Sequence, residues 1–179
     1  MSHWAIDLGT TNTSLARWDA SSDLATLVVL PEVCRDRTSA DPLQVPGLVP
    51  SARHLVDESD PWTRLGRMPF FAKRTFWGRH AYIGRQALDR NVTRIHPPFA
   101  ASFKAHLQHQ ALRPIARLGR RSFSAREVTR TFLRELLAEV HRTTGERIRA
   151  ITVTAPVDSY EGYRAEIRQV FRELGVVVD

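Results

Sequence analysis

The sequence predicts an α/β fold built on a mixed sheet, in which three antiparallel strands are followed by helix, strand, helix and a short final strand. Three observations predict it. Short apolar stretches separated by turn residues open the chain, two later segments carry apolar residues at helical spacing, and a β-branched stretch lies between those two segments. The predicted order is therefore β-β-β, an irregular insertion, and then α-β-α-β.

The first thirty residues predict an antiparallel meander. Residues 3–8 alternate apolar and polar side chains, residues 13–18 form a second strand, and residues 24–30 form an apolar run that contains β-branched residues. The turns between them, at residues 9–12 and 19–23, contain Gly, Thr, Asn, Asp and Ser, which favour tight turns. Strands joined by connections this short run antiparallel.

A long amphipathic helix is predicted after residue 123. It begins at a capping box, in which the Ser124 hydroxyl accepts from the backbone of Glu127 and the Glu127 carboxylate reaches back. It ends at Gly145, a residue type that readily adopts the left-handed conformation of a helix C-terminus. Its apolar stripe comprises Val128, Phe132, Leu133, Leu136, Leu137 and Val140.

A strand and a second helix follow. Residues 148–154 predict the strand, Asp158 and Glu161 are expected to cap the helix, and Gly175 is expected to end it. The apolar stripe of this helix comprises Tyr163, Ile167, Val170, Phe171 and Leu174. Residues 176–178 predict the beginning of another strand, so we expect the chain to be a fragment of a longer protein.

Residues 31–123 are expected to form an inserted α+β subdomain between the two parts of a core domain, residues 1–30 and 124–179. The insertion holds nine of the ten prolines, which interrupt regular periodicity. Residues 60–79 are rich in aromatic side chains, so we expect a packed hairpin or loop there and not a linker. Within the insertion we expect only short elements, namely strands at 48–56 and 80–84, a helical turn at 86–91 and a helix at 99–110.

The composition argues against several classes of protein. Hydrophobic residues make up 42% and charged residues 25% of the chain, which is ordinary for a globular domain and argues against disorder. No apolar run is long enough to span a membrane, no signal-peptide pattern opens the chain, and the single cysteine, Cys34, excludes an internal disulfide. We therefore expect a cytoplasmic protein without membrane association.

The net charge of +7 leaves two interpretations open. Lysine occurs only twice, as Lys73 and Lys104, so nearly all of the 26 basic residues are arginines, and they are spread along the chain. This pattern favours a solvated arginine-rich surface. The alternative is a nucleic-acid-binding module in which the aromatic and arginine side chains of residues 62–79 stack on bases.

The residues around the first turn carry the strongest chemical signal. Asp7 lies near the end of an apolar strand, where a carboxylate is favourable beside a cation such as hydrated Mg²⁺. Gly9 permits a tight turn and the close approach of an anion. Thr10 and Thr11 add hydroxyl groups to the backbone donors, so the turn predicts an anion-binding concavity. The alternative interpretation is a plain hairpin turn.

Residues 6–13, Ile-Asp-Leu-Gly-Thr-Thr-Asn-Thr, resemble the first phosphate motif of the actin-like ATPase superfamily, and most of all that of the 70-kDa heat-shock (DnaK-like) chaperones. Sugar kinases of this superfamily share a similar Asp-x-Gly-Thr-Thr opening. Five later segments resemble motifs of the chaperone family and follow in the same order as in that family. Residues 48–51 resemble its Thr-Pro-Ser motif, residues 82–87 its Val-Gly-x-x-Ala motif, and residues 103–107 the segment with its catalytic lysine. Residues 124–128 resemble its Ser-Ala-Glu-Val motif, and residues 151–156 with 163–164 resemble its Thr-Val-Pro-Ala strand and the helix after it.

The resemblance implies the N-terminal lobe of an ATPase with the ribonuclease-H-like, actin-like fold. ATP and Mg²⁺ would be its ligands, with Asp7 holding the metal through water and Lys104 acting in phosphoryl transfer. The residues implied for phosphate binding are Gly9, Thr10, Thr11 and Asn12. The second phosphate loop of the family is absent from this sequence, so we expect the chain alone to be inactive as an ATPase.

The resemblance also implies a chaperone role in protein folding. Pro156 and Arg164 resemble the switch proline and its arginine partner, although alignment on residues 151–153 places Thr154 at the proline position. The full-length protein would act on client peptides together with co-chaperones. The alternative within the superfamily is the N-terminal lobe of a sugar or metabolite kinase.

Two further candidates come from isolated residues. His106 and His109 lie one helical turn apart, a spacing that suits metal ligands, but no third ligand lies near them in the sequence. Cys34 lies in a polar segment, where a reactive thiol is a further hypothesis.

Overall fold

A mixed six-stranded sheet lies at the centre of the computed structural model, which describes residues 3–35, 47–56, 80–154 and 161–179. The strands in these ranges are β1 (His3–Leu8), β2 (Asn12–Asp19), β3 (Leu24–Leu27), β4 (Val49–Pro50), β5 (Ala52–Leu55), β6 (Ala81–Ile83), β7 (Phe99–Ala101), β8 (Pro114–Leu118), β9 (Arg121–Ser124), β10 (Ala150–Thr154) and β11 (Val177–Val178). The helices are α1 (Arg85–Asp89), α2 (Phe103–Gln110), α3 (Ala125–Thr144) and α4 (Glu161–Glu173).

The main sheet contains the predicted meander. Its order is β11-β10-β1-β2-β3, with the short β4 also paired to β2. Strands β1, β2 and β3 pair antiparallel, whereas β10 runs parallel to β1 and β11 runs parallel to β10. The strand predicted at residues 148–154 is therefore confirmed, and it lies beside the first strand of the meander. The register places Asp7 opposite Thr154 at the carboxyl ends of β1 and β10.

The segments between the meander and α3 differ from the predictions in three places. The strand expected at 48–56 is divided, because β4 joins the main sheet while β5 pairs with β6 and β7 in a second sheet. The helix expected at 99–110 begins only at Phe103, because residues 99–101 are paired with β5. Strands β8 and β9 form a hairpin that the sequence did not predict. The aromatic segment at 60–79 lies outside the described residues.

Helix α3 begins and ends as the sequence predicts. The Ser124 hydroxyl accepts from the Glu127 amide, and the Glu127 carboxylate accepts from the Ser124 amide at 2.8 Å, which completes the capping box. Gly145 follows the last helical turn with φ of 75°, a left-handed conformation that costs glycine little. The apolar stripe is buried, with Leu137 only partly so.

The helices bury their apolar faces against the sheets and against one another. In β1 the inward side chains of Trp4, Ile6 and Leu8 are buried, while Asp7 faces outward, as the period of two requires. The Phe103 and Phe132 rings lie 5.1 Å apart and join α2 to α3.

No helix in the described ranges is both long enough and apolar enough to cross a lipid bilayer.

Replacing Ser124 by alanine is expected to lower the free energy of unfolding by about 1 kcal/mol, because the cap of α3 loses its acceptor. Urea denaturation followed by circular dichroism measures this loss. Ser122 lies two residues earlier in β9 and is exposed, so Ser122→Ala is a matched control that should change stability by less than about 0.5 kcal/mol. Equal losses in the two variants would contradict the capping role.

Candidate functional site

The candidate site lies where the parallel strands β1 and β10 end. Parallel neighbours present their carboxyl ends at the same edge of a sheet, which is where open α/β sheets bind ligands. Asp7 is exposed at this edge, and the Thr154 hydroxyl donates a hydrogen bond of 2.8 Å to its carboxylate. The carboxylate that the sequence singled out is therefore accessible and held in one orientation.

The turn at residues 9–12 follows directly and is too tight for a side chain at its first position. A Cβ atom placed on Gly9 would lie 2.2 Å from the carbonyl oxygen of Asn12. Close approach of two backbone segments therefore accounts for the glycine. Thr10 and Thr11 are exposed at the tip of the turn, so their hydroxyl groups are accessible to a ligand.

Ser51 ties this turn to the start of α2. Its hydroxyl donates to the carbonyl of Gly9 at 2.8 Å and lies 2.9 Å from the buried hydroxyl of Thr13. Since the single Ser51 proton goes to a carbonyl, Thr13 is the donor to Ser51. The Ser51 backbone donates to Thr11 at 2.9 Å and accepts from Ser102 at 3.0 Å. One residue thus connects the turn with the helix that carries Lys104.

Arg35 is a second contact to the turn, because its Nε donates to the side-chain oxygen of Asn12 at 2.9 Å. The sequence gives no signal for Arg35, and Ser51 is indicated only as part of a family motif. The Arg35–Asn12 and Ser51–Gly9 hydrogen bonds join residues at least 23 positions apart. Residue spacing within one helix or strand cannot indicate contacts over such a separation. The motif at residues 48–51 was the one signal that pointed to Ser51.

Lys104, at the second position of α2, lies near Asp7. Burial lowers the pKa of Lys104 below its usual value, and the negative charge of Asp7 opposes that shift. The ammonium nitrogen lies 5.3 Å from the ring centroid of Tyr163 on α4, within the range of a cation–π interaction. The fold thus brings together a carboxylate and a lysine from distant parts of the chain.

Tyr163 is a part of the site to which the sequence assigned no chemical role, since it indicated a residue of the apolar stripe and of a family motif. Its side chain is 1% exposed, and its hydroxyl has no hydrogen-bond partner in the described structure. Burial raises the pKa of Tyr163 to about 12, and the charge of Asp7 adds to that shift. The phenol is therefore neutral at pH 7, and its ring provides a face for the Lys104 ammonium.

Arg164 lies on the exposed face of α4, one residue beyond Tyr163. With Val153, Arg168 and Val178 it borders a cavity of about 300 Å³ at the carboxyl ends of β10 and β11. Pro156, the expected partner of Arg164, lies outside the described residues. The proposed pairing of these two residues stays a prediction.

The side chains at the site suit a hydrated Mg²⁺ better than a metal held directly by protein ligands. Among the described residues there is no group of three or more His, Cys, Asp and Glu side chains that would enclose an ion. His106 and His109 therefore gain no third ligand in those ranges. A single exposed carboxylate such as Asp7 fits Mg²⁺, because this ion keeps most of its water ligands.

Cys34 is buried, which disfavours the hypothesis of a reactive thiol.

Comparison with known proteins adds no identification. No protein-family model matches the chain, and a search of curated proteins returned no match. Function is therefore inferred from the residues that meet at the ends of β1 and β10.

Proposed function

We propose that this chain is the N-terminal lobe of a DnaK-like chaperone ATPase and that it binds the phosphates of Mg-ATP. The observation that carries the proposal is that Asp7 is followed directly by the 9–12 turn and that Ser51 joins this turn by hydrogen bonds to the start of α2, the helix that carries Lys104. Phosphate binding needs backbone donors, a cation and a place for the metal. These three features would supply them.

The sheet order supports the more specific fold that the proposal requires. Three antiparallel strands are followed by a helix and by strands β10 and β11 on the far side of β1. This is the order expected of the ribonuclease-H-like, actin-like fold. In that fold the first turn of the meander and the end of β10 would face the nucleotide together.

The 9–12 turn would hold the phosphates in this proposal. Its backbone N–H groups and the exposed Thr10 and Thr11 hydroxyls would donate to phosphate oxygens. The absence of a side chain on Gly9 keeps the turn closed, and the hydrogen bonds from Ser51 and Arg35 fix its shape before a ligand arrives. A turn that already has its bound shape loses less conformational entropy when a ligand binds, so binding is more favourable.

Asp7 would hold the metal through water. Mg²⁺, when bound, would neutralise phosphate charge and keep ordered waters in its shell. The Asp7 carboxylate accepts hydrogen bonds, and Thr154 occupies one of its oxygens. The remaining lone pairs of the carboxylate would accept from metal-bound waters.

Lys104 would stabilise negative charge on the transferred phosphoryl group and orient the attacking water. Its partial burial strengthens electrostatic interactions at the site, because fewer water molecules screen them. Asp7 favours the charged form of the amine, and the Tyr163 ring lies 5.3 Å from it. In this proposal the Lys104 ammonium would donate to the phosphate oxygens.

The chaperone activity belongs to the full-length protein in this proposal. ATP hydrolysis would change the grip on client peptides, with Pro156 and Arg164 relaying the change and co-chaperones assisting in the cytoplasm. The nucleotide-binding step is the part that this chain can test.

Titration of the ¹⁵N-labelled chain with Mg-ATP is expected to shift the amide resonances of the 9–12 turn and of Lys104, with millimolar or weaker affinity. Each backbone donor contributes about 1 kcal/mol against water, whereas the loss of translational and rotational freedom costs about 4 kcal/mol or more. A phosphate-release assay should show no turnover above background. Asp7→Asn and Lys104→Met should each remove most of the shifts.

Asp89 provides the matched control, because it is an exposed carboxylate at the end of α1. Asp89→Asn makes the same chemical change as Asp7→Asn and should leave the titration unchanged. Shifts that spread over exposed arginines and disappear with added salt would instead favour the nucleic-acid interpretation. Steady turnover that Asp7→Ala abolishes would show that the chain alone is a competent enzyme, contrary to the expectation.

A further inference from the structure

A basic pocket lies between the second sheet, the β8–β9 hairpin and α3. It has a volume of about 60 Å³, and the residues that give it its character are His80, Arg121, Phe123, Glu127, Arg130 and Arg134. This volume has room for a few water molecules or one small ion and is far too small for a nucleoside. Its walls include none of the residues of the proposed nucleotide site.

Arg53 on β5 lies against this pocket and is completely buried. Its side chain is 0% exposed, and none of its three guanidinium nitrogens has a hydrogen-bond partner in the described structure. Burial lowers the pKa of Arg53 to about 9, and the charge of Glu127 opposes that shift. Arg53 is therefore still a cation at pH 7, and buried cations are normally paired with an anion.

Phe123 connects Arg53 to the pocket wall. The guanidinium carbon of Arg53 lies 5.5 Å from the centre of the Phe123 ring, and that of Arg121 lies 4.6 Å from the same ring. Two cations therefore share one aromatic residue of the pocket. Cation–π contacts offset part of the charge repulsion, but they provide no counter-charge.

The charges around the pocket do not balance. Arg121 pairs with Glu127 at 3.4 Å, and Arg130 pairs with Glu173 at 2.8 Å. For Arg53 and Arg134, the part of the chain that the structure describes contains no ion-pair partner. The Glu135 carboxylate accepts a hydrogen bond from the His80 amide at 2.9 Å. Among the described residues, Arg53 and Arg134 therefore remain without an ion pair beside a cavity of ionic size.

We propose that the basic pocket binds a small doubly charged oxyanion of the phosphate class. Arg134 and the neighbouring arginines would contact the oxygens, since guanidinium groups match the geometry of such anions. The charge of the anion would also compensate that of Arg53 behind the pocket wall. This pocket is separate from the proposed nucleotide site, so the phosphate-binding proposal does not depend on the proposed function.

Titration of the chain with inorganic phosphate, at constant ionic strength in chloride, tests the proposal. We expect phosphate to raise the melting temperature more than chloride does and to give a saturable binding isotherm by calorimetry. Arg134→Gln should weaken phosphate binding by about tenfold or more, because it removes a charge-assisted hydrogen bond. Sulfate should compete with phosphate, because it is also a tetrahedral oxyanion that can carry two negative charges.

Arg53→Met gives an independent readout. Methionine keeps much of the side-chain length but removes the charge, so the variant should melt at a higher temperature than the wild type without phosphate. It should also lose most of the phosphate-dependent increase. Arg94 is exposed and lies in neither site, so Arg94→Gln controls for the change in net charge and should retain full phosphate binding.

Three results would overturn the proposal. The first is equal stabilisation by phosphate and chloride in the wild type. The second is a phosphate response that Arg53→Met or Arg134→Gln leaves intact. The third is an equal loss of binding in Arg94→Gln and Arg134→Gln, which would indicate only a general attraction of anions to a basic protein.

Discussion

Replacing Gly9 by alanine is expected to destabilise the chain by about 1–3 kcal/mol, because the new methyl group overlaps a backbone oxygen that has no room to move. The Cβ would lie 2.2 Å from the carbonyl oxygen of Asn12. Asn12 is the first residue of β2, and its side chain accepts from Arg35. Relief of the clash therefore requires the turn to open, which would also disturb the proposed phosphate site.

Gly162 provides a control with the opposite expected sign. A Cβ at Gly162 meets no atom within 4 Å, and the residue lies in the first turn of α4. Gly162→Ala should therefore stabilise the chain by about 0.5–1 kcal/mol, because alanine loses less backbone entropy on helix formation. Urea denaturation of both variants decides the question, and a Gly9→Ala variant as stable as the wild type would contradict the close-approach argument.

Sequence patterns were sufficient to predict the elements whose causes are local. The capping box at Ser124, the stop at Gly145 and the apolar stripe of α3 depend on residues a few positions apart, so spacing alone indicates them. The meander of β1 to β3 follows from alternation and short turns. Its consequence, an exposed Asp7 at the carboxyl end of β1, was therefore predictable as well.

The rest depends on contacts between distant segments. Residues 99–101 form a strand because β5 pairs with them, and nothing in their own sequence distinguishes them from the start of the following helix. Ser51 contacts both the 9–12 turn and the residue before α2, and Tyr163 packs beside Lys104. Side chains joined over such separations leave no periodic signal, so the contacts that shape the candidate site required the structure.

Arg53 is a residue for which the sequence pattern indicates the wrong degree of burial. In sequence it lies between alanine and histidine in a short strand, where a charged residue normally indicates an exposed face. In the structure it is fully buried beside Phe123. Phe123 belongs to β9, which lies roughly 70 positions farther along the chain, so no local pattern indicates the contact.

Phe132→Ala is expected to cause the largest loss of stability, about 3–5 kcal/mol, because it combines lost burial with a cavity in the core. Phe132 is completely buried on α3, and its ring lies 5.1 Å from that of Phe103. Chemical denaturation measures the loss. Val92→Ala removes apolar atoms from a side chain that is 78% exposed and should change stability by less than about 0.5 kcal/mol.

The same substitution should also disturb Lys104, which is the next residue after Phe103. Ser102, the residue before helix α2, has a φ of 53° and makes no side-chain capping hydrogen bond. The position of the first turn of α2 therefore depends on the burial of Phe103 against Phe132. Phe132→Leu keeps part of this packing and should lose less stability and shift the Lys104 amide less than alanine does. An unchanged Lys104 resonance in a folded Phe132→Ala chain would show that Ser51 and Tyr163 suffice to place the lysine.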